Sequence, residues 1–161
     1  MYKVAAYQAA LLGFGGRYTA VSQDNRAVPG MYGSQLDTTG ARIPGGPIYL
    51  RPHNSSGWPP TVASNTLALM LSGCSSGGGT VAAQRLNTSL AVLDPTAIST
   101  GLSGLCRAGS NGTDFLVIAG YTNLDGRFFT AAGALVAWIS CVQNWSAPAK
   151  PPAGGAPAQP Q

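Results

Sequence analysis

Alternation of apolar and polar residues is the strongest signal in the chain. In NTLALML, Leu67, Leu69 and Leu71 alternate with Thr66, Ala68 and Met70, the two-residue period of a strand. In RLNTSLAVL, Leu86, Thr88, Leu90 and Val92 alternate with Arg85, Asn87, Ser89 and Ala91, which predicts a strand reaching Val92. Asp94-Pro95 has the form of an N-cap followed by proline at N1 and predicts a brief helix, cut short by Gly101 and Gly104. Asn111-Gly112 marks a turn, FLVIAGY at 115–121 a buried strand, and Asp125-Gly126 a hairpin turn. The returning run RFFTAAGALVAWISCV carries Gly133 as a bend. Both faces of its later part are read as apolar, with Leu135, Ala137, Ile139 and Cys141 on one and Val136, Trp138, Ser140 and Val142 on the other. Such a strand needs a second sheet or a partner subunit. A helix from Thr130 to Val142 is the competing reading.

Upstream the pattern breaks down. Residues 15–60 carry turn signals at Pro29-Gly30, at Pro44-Gly45-Gly46-Pro47 and at Trp58-Pro59-Pro60. Only Arg17–Val21 and Ile48–Arg51 have strand character. So long a stretch without regular structure suits an extended arm that lies on neighbouring subunits. MYKVAAYQAALLGFGG has one lysine and a short apolar run, but Gln8 and two tyrosines interrupt it, so no signal peptide is expected. No run approaches 18 apolar residues, so no helical membrane span is expected. After Trp145, SAPAKPPAGGAPAQPQ has the composition of a polyproline-like tail. No internal repeat stands out.

The expected fold is therefore mainly β: a single β-sandwich or small barrel over residues 61–145. Residues 1–60 form an extended N-terminal arm with short edge strands, and 146–161 a Pro/Ala/Gly-rich tail. The alternative is an α+β arrangement with helices near 2–13 and 130–142.

Composition sharpens this picture. The chain has five aspartates, no glutamate and two lysines among its 161 residues. Glu and Lys are the usual surface residues of helices, so their scarcity argues against a bundle. So little charge also suits a surface covered by other subunits. The net charge of +4 is uneven, because residues 1–60 carry five bases against two aspartates. Dense basic patches with interleaved aromatics are missing, so contact with nucleic acid is only weakly supported. Arg17, Arg26, Arg42, Arg51 and Trp145 are the candidate assembly contacts.

Catalytic chemistry finds little support. His53, the one histidine, lies among turn residues with no carboxylate nearby in sequence. Asp94, Asp114 and Asp125 stand in cap or turn contexts that explain them structurally. GFGGR at 13–17 and GCSSGGGT at 73–80 lack the lysine of a phosphate-binding loop. Gly73-Cys74-Ser75-Ser76-Gly77 fits G-x-S-x-G, but no histidine follows it to complete a hydrolase triad. Cys74, Cys106 and Cys141 lack metal-ligand spacing, and three buried free thiols are expected rather than one disulfide and a spare. Four N-x-S/T triplets, at Asn54, Asn87, Asn111 and Asn144, mildly favour a glycoprotein. Scattered aromatics, Trp58, Trp138 and Trp145 among them, are expected in core or interface packing, Trp138 in the core.

No catalytic site, cofactor or metal is expected. The composition points to a non-enzymatic structural subunit of a large symmetric assembly, a virus or phage particle being the setting that suits it. Its partners would be copies of itself and other subunits, and its location the virion. A secreted or surface glycan-binding module, extracellular, is one alternative, and a small serine hydrolase is another.

Overall fold

The computed structural model describes residues 6–24, 28–52, 59–73 and 79–141. These residues form twelve strands: β1 (Ala6–Phe14), β2 (Arg17–Asp24), β3 (Gly30–Leu36), β4 (Ile48–Pro52), β5 (Thr61–Ser64), β6 (Leu69–Gly73), β7 (Thr80–Leu86), β8 (Ile98–Ser103), β9 (Leu105–Ser110), β10 (Phe115–Gly120), β11 (Leu124–Phe129) and β12 (Leu135–Cys141). The protein is mainly β, and no helix occurs among the described residues. Each run of four consecutive strands closes its own antiparallel sheet. We call them sheet A (β1–β4), sheet B (β5–β8) and sheet C (β9–β12).

The sandwich is three sheets deep, with sheet B in the middle. β6 shows why. Leu69 and Leu71 point towards sheet A, where they pack with Val21, Met31 and Leu50. Met70 points the other way and packs with Phe115, Val117 and Phe129 of sheet C. All three residues are fully buried. The alternation read in NTLALML is real, but both of its faces are interior. Leu67, which completes that alternation on paper, lies in the β5–β6 turn and is 70% exposed.

Residues 6–52 are not an extended arm. They fold into sheet A, because β2 and β3 present an inward row that covers Leu69, Leu71 and Leu86 of sheet B. That row is hard to see in sequence, since Thr19, Val21 and Gln23 are all buried but only one is apolar. In β3 the inward position is Gly33, where a side chain would meet Leu90 at 2.8 Å and Leu50 at 3.2 Å. Neither helix of the α+β alternative occurs: 6–14 and 135–141 are strands, and 130–134 is a turn. Residues 2–5 and 142–161, with the proline-rich tail, lie outside the described residues.

The three sheets repeat one another, which the sequence did not reveal. Each third strand ends in the same turn: Leu36-Asp37-Thr38-Thr39-Gly40-Ala41-Arg42, Leu86-Asn87-Thr88-Ser89-Leu90-Ala91-Val92, and Phe129-Thr130-Ala131-Ala132-Gly133-Ala134-Leu135. In each turn the second residue donates its N–H to the carbonyl of the sixth (Asp37 to Ala41, Asn87 to Ala91, Thr130 to Ala134). The fifth residue donates back to the second (Gly40 to Asp37, Leu90 to Asn87, Gly133 to Thr130). The second side chain also accepts from the sixth N–H: Asp37 Oδ1 and Asn87 Oδ1 at 2.9 Å, and Thr130 Oγ1 at 3.1 Å. Short polar side chains that bond the backbone locally are what such a turn requires. The fifth residue is left-handed each time, with φ of 83° at Gly40, 65° at Leu90 and 81° at Gly133.

This turn overturns the strand read through Val92, because Asn87 Oδ1 takes the N–H groups of Ser89 and Ala91 and curls the chain after Leu86. The helix expected after Asp94 is also absent, since β8 starts at Ile98. Asp94 accepts instead from the Arg85 backbone N–H at 2.7 Å and from Arg85 Nε at 3.0 Å. Asp125-Gly126 lies inside β11, and the hairpin turns over residues 121–123.

Leu90 is the exception among the left-handed residues. A leucine there carries a steric cost of about 1–2 kcal/mol. It is tolerated because Leu90 is 1% exposed and fills the space between sheets A and B. We therefore expect Leu90→Gly to destabilise the protein no more than Leu90→Ala, since glycine relieves the backbone while both lose the side chain. Urea unfolding of the two variants checks this. Leu90→Ala as the more stable of the two would contradict the strained-turn reading.

Candidate interaction surface

Stacking three sheets leaves two sheet faces without a partner layer, one at each end. Along β10, Phe115, Val117 and Ala119 face sheet B, so Leu116 and Ile118 face outward. A side chain at Gly126 would touch Ile118 Cγ2 and Leu116 Cδ1 at 3.3 Å and Ile139 Cβ at 3.6 Å, which places all three on one surface. Phe128, two residues beyond Gly126 and opposite Leu116, shares it. Leu105 and Arg107 extend it onto β9 through their register with Gly120 and Ile118. The outer face of sheet C is thus apolar, with Arg107 at its margin. A shallow cavity of about 300 Å³ opens at this face between Gly109, Leu116, Phe128 and the Asn111–Asp114 turn.

The outer face of sheet A is built by the residues opposite Val21, Gly33 and Leu50. It carries Leu11, Tyr18, Ala20, Ser22, Tyr32 and Tyr49. Tyr32 and Tyr49 meet edge to face, with ring centroids 5.4 Å apart. The Tyr32 hydroxyl donates to the Val28 carbonyl at 2.7 Å, and Tyr32 is buried while Tyr49 beside it is exposed. Leu11 is 64% exposed.

β12 adds a third uncovered feature. It is the edge strand of sheet C, and no described residue pairs with its free side. Val136 is 61% and Trp138 71% exposed. Trp138 was expected in the core. It lies instead beyond the reach of sheet B, with the Arg127 guanidinium over its ring at 3.6 Å. Soluble proteins usually protect such edges with charge, proline or a covering loop. LVAWISC has neither charge nor proline.

The arginines proposed as assembly contacts do different jobs. Arg17 is exposed and donates to Gln35 Oε1 at 3.2 Å. Arg42 is exposed beside the first repeated turn. Arg51 is half-buried between sheets A and B, where Nη1 donates to the Ala82 carbonyl at 3.1 Å. Burial disfavours its charged form and lowers its pKa. It ties two layers together. Arg26 and Trp145 lie outside the described residues, as do His53, the Ser75 motif, Cys74, Asn54 and Asn144. Sequence reasoning missed the residues of the two end faces, because a face is defined by register between strands and not by spacing along one.

Other candidates resolve into structure. Among the described residues no three His, Cys, Asp or Glu side chains gather as metal ligands. Cys106 is buried and disulfide-bonded, contrary to the expected free thiol. Asn111 Oδ1 accepts from the N–H groups of Thr113 and Asp114, and Asn87 Oδ1 serves its own turn, so both sequon asparagines have structural work. A second cavity of about 320 Å³, lined by Gly13 to Tyr18 and Thr38, carries Arg17 as the only charged residue among the described ones.

The titration of Asp37 is displaced by its turn. The Thr39 hydroxyl, bonded to Oδ1 at 2.6 Å, holds it below the ordinary aspartate value of 3.8; desolvation opposes this, and the N–H groups of Ala41, Thr39 and Gly40 add to the lowering. A pKa lowered in the folded state contributes order above the unfolded value, and this is lost as pH falls through the folded one. We expect the 36–42 turn to loosen only in strong acid, below 3.8. Asp37→Asn should keep the turn and abolish that acid sensitivity, as Asn87 does in the second repeat. NMR titration of the Thr39 and Ala41 amides reads both outcomes. Comparison with models of known protein families and with curated proteins finds no match to this chain.

Proposed function

We propose that this chain is a non-enzymatic structural subunit of a multi-copy assembly, with a virus or phage particle as the setting that its composition suits. The observation that carries the reading is the apolar outer face of sheet C, where Leu116, Ile118 and Phe128 are half-buried and Leu105 and Ile139 exposed, and which adjoins the exposed edge strand β12 with Leu135, Val136 and Trp138. Contiguous exposed apolar surface of this kind marks interaction sites in soluble proteins. The near-absence of Lys and Glu points the same way, since few groups remain to keep a lone copy dispersed.

The test is the native mass of the purified chain, by light scattering over a range of concentrations, with negative-stain images of the same sample. The expected result is a defined species heavier than the 16.3 kDa chain. A monodisperse monomer at every concentration, resistant to protease at both ends, would sink the proposal. One observation favours a second reading, a glycan-binding module: the exposed Trp138 ring offers one face to a sugar while Arg127 covers the other. Sugar affinity lost in Trp138→Ala would support it.

A further inference from the structure

The repeat has a direction, and that direction identifies what the end faces fit. In sheets A and B the residue just before each repeated turn reaches forward to the next layer. Gln35 Nε2 donates to the carbonyl of Thr88, the third residue of the second turn. Arg85 Nη1 donates at 2.9 Å to the carbonyl of Ala131, the third residue of the third turn. The first residue of each turn does the opposite in the two later layers. Leu86 packs back onto sheet A and Phe129 packs back onto sheet B. Hairpin tips follow the same rule, since Asn65 of the β5–β6 turn donates through Nδ2 to the Thr113 carbonyl of the β9–β10 turn at 2.7 Å. Each layer therefore has a forward face and a backward face, and forward meets backward twice within the chain.

Sheet C shows a forward face on which no described sheet packs. Phe128 holds the position of Gln35 and Arg85 and points outward with Leu116, Ile118 and Ile139. Sheet A shows a backward face that no described sheet covers, with Leu36 at the position of Leu86 and Phe129, beside the exposed Tyr18 and Leu11. Stacked-repeat proteins that stay monomeric end in units with a polar outer face. The outer face of sheet C has Arg107 at its margin as its charged residue, and that of sheet A mixes Ser22 and Ser34 with Leu11, Tyr18 and Tyr49, so neither end is a strongly polar cap.

We propose that the forward face of sheet C docks on the backward face of sheet A in a second copy of this chain, continuing the stack across the molecular boundary. The proposal rests on the assembly reading above and names its contact. The occupant is a second copy because the two faces are of the kinds that already meet between A and B and between B and C. The contact is heterologous, since each copy offers one face to a neighbour before it and the other to a neighbour after it. Such contacts close into a ring or run on as a filament, according to the rotation between copies.

The experiment uses two charge substitutions on opposite ends, Leu11→Lys on sheet A and Ile118→Lys on sheet C. Circular dichroism and thermal melts confirm that each variant is folded, and Tyr18→Lys and Ile139→Lys serve as replacements if either is not. Sedimentation velocity is then run on the wild type, on each variant alone and on their equimolar mixture. Each variant alone spoils every contact, so self-association should weaken roughly tenfold or more. The mixture retains one good pair of faces and should give a one-to-one dimer of about twice the 16.3 kDa chain mass that grows no further. Wild-type multimers that survive both substitutions overturn the stacking and leave assembly standing, and their loss in Val136→Lys would place the contact on the edge of β12. Monomeric variants whose mixture forms no dimer also overturn the stacking. A wild type that stays monomeric overturns both readings.

Discussion

Phe115→Ala should lower the unfolding free energy by about 3–5 kcal/mol, the usual cost of emptying a phenylalanine site in a core. Phe115 is fully buried at the start of β10, between sheets B and C, among Met70, Val81 and Phe129. These neighbours come from different strands already fixed by their own ladders, so they have little freedom to close around the void. A domain of this size has a total stability of about 5–15 kcal/mol, so the variant should be close to its limit at physiological temperature. Urea unfolding should show an earlier midpoint. A loss below about 1 kcal/mol would mean that the B–C interface is not packed as described.

Asp94→Ala should cost about 2–4 kcal/mol, somewhat less than a fully buried pair because some water reaches both groups. The Asp94 carboxylate meets Arg85 through Nε and Nη2 and also accepts from the Arg85 backbone N–H. The two side chains are 10% and 18% exposed. Removing the carboxylate leaves a partly buried guanidinium held only by the Ala131 carbonyl, and an N–H at the end of β7 without its acceptor. Because Arg85 joins the turn of its own sheet to the turn of the next, the loss should reach sheet C. A double-mutant cycle with Arg85→Met should give a coupling of about 1–3 kcal/mol. Zero coupling would show that the ion pair contributes nothing beyond the backbone contact.

These two sites differ in how far the sequence announced them. FLVIAGY declared a buried strand, and Phe115 was in it. The Arg85–Asp94 pair was hidden behind Asp94-Pro95, whose local form is that of a helix start. The carboxylate is satisfied by an arginine nine residues back, and no local pattern records that bond. Sheet A was missed for a related reason. Arg17–Val21 had strand character, but the inward residues Gln23 and Gly33 read as loop because burial there depends on the leucines of sheet B. The repeat escaped notice because its turns share a conformation more than residue types. Asp, Asn and Thr all offer one short oxygen, and the left-handed position is glycine twice and leucine once. The apolar residues on both faces of this strand were legible, and the exposure of Leu135, Val136, Trp138 and Ile139 agrees with a strand that no described sheet covers.

The middle position of sheet B also governs when the molecule can fold during its own synthesis. Sheet A leaves the ribosome first, yet its inward row of Val21, Met31 and Leu50 has no cover until Leu69, Leu71, Leu86 and Leu90 have followed. Sheet B in turn keeps Met70 and Val81 open until Phe115 and Phe129 arrive. A nascent chain therefore always carries one adhesive layer awaiting the next. On polysomes crowded with copies of one message, the layer that arrives first can belong to a neighbour, and interchange of whole layers between chains becomes the characteristic error of this architecture.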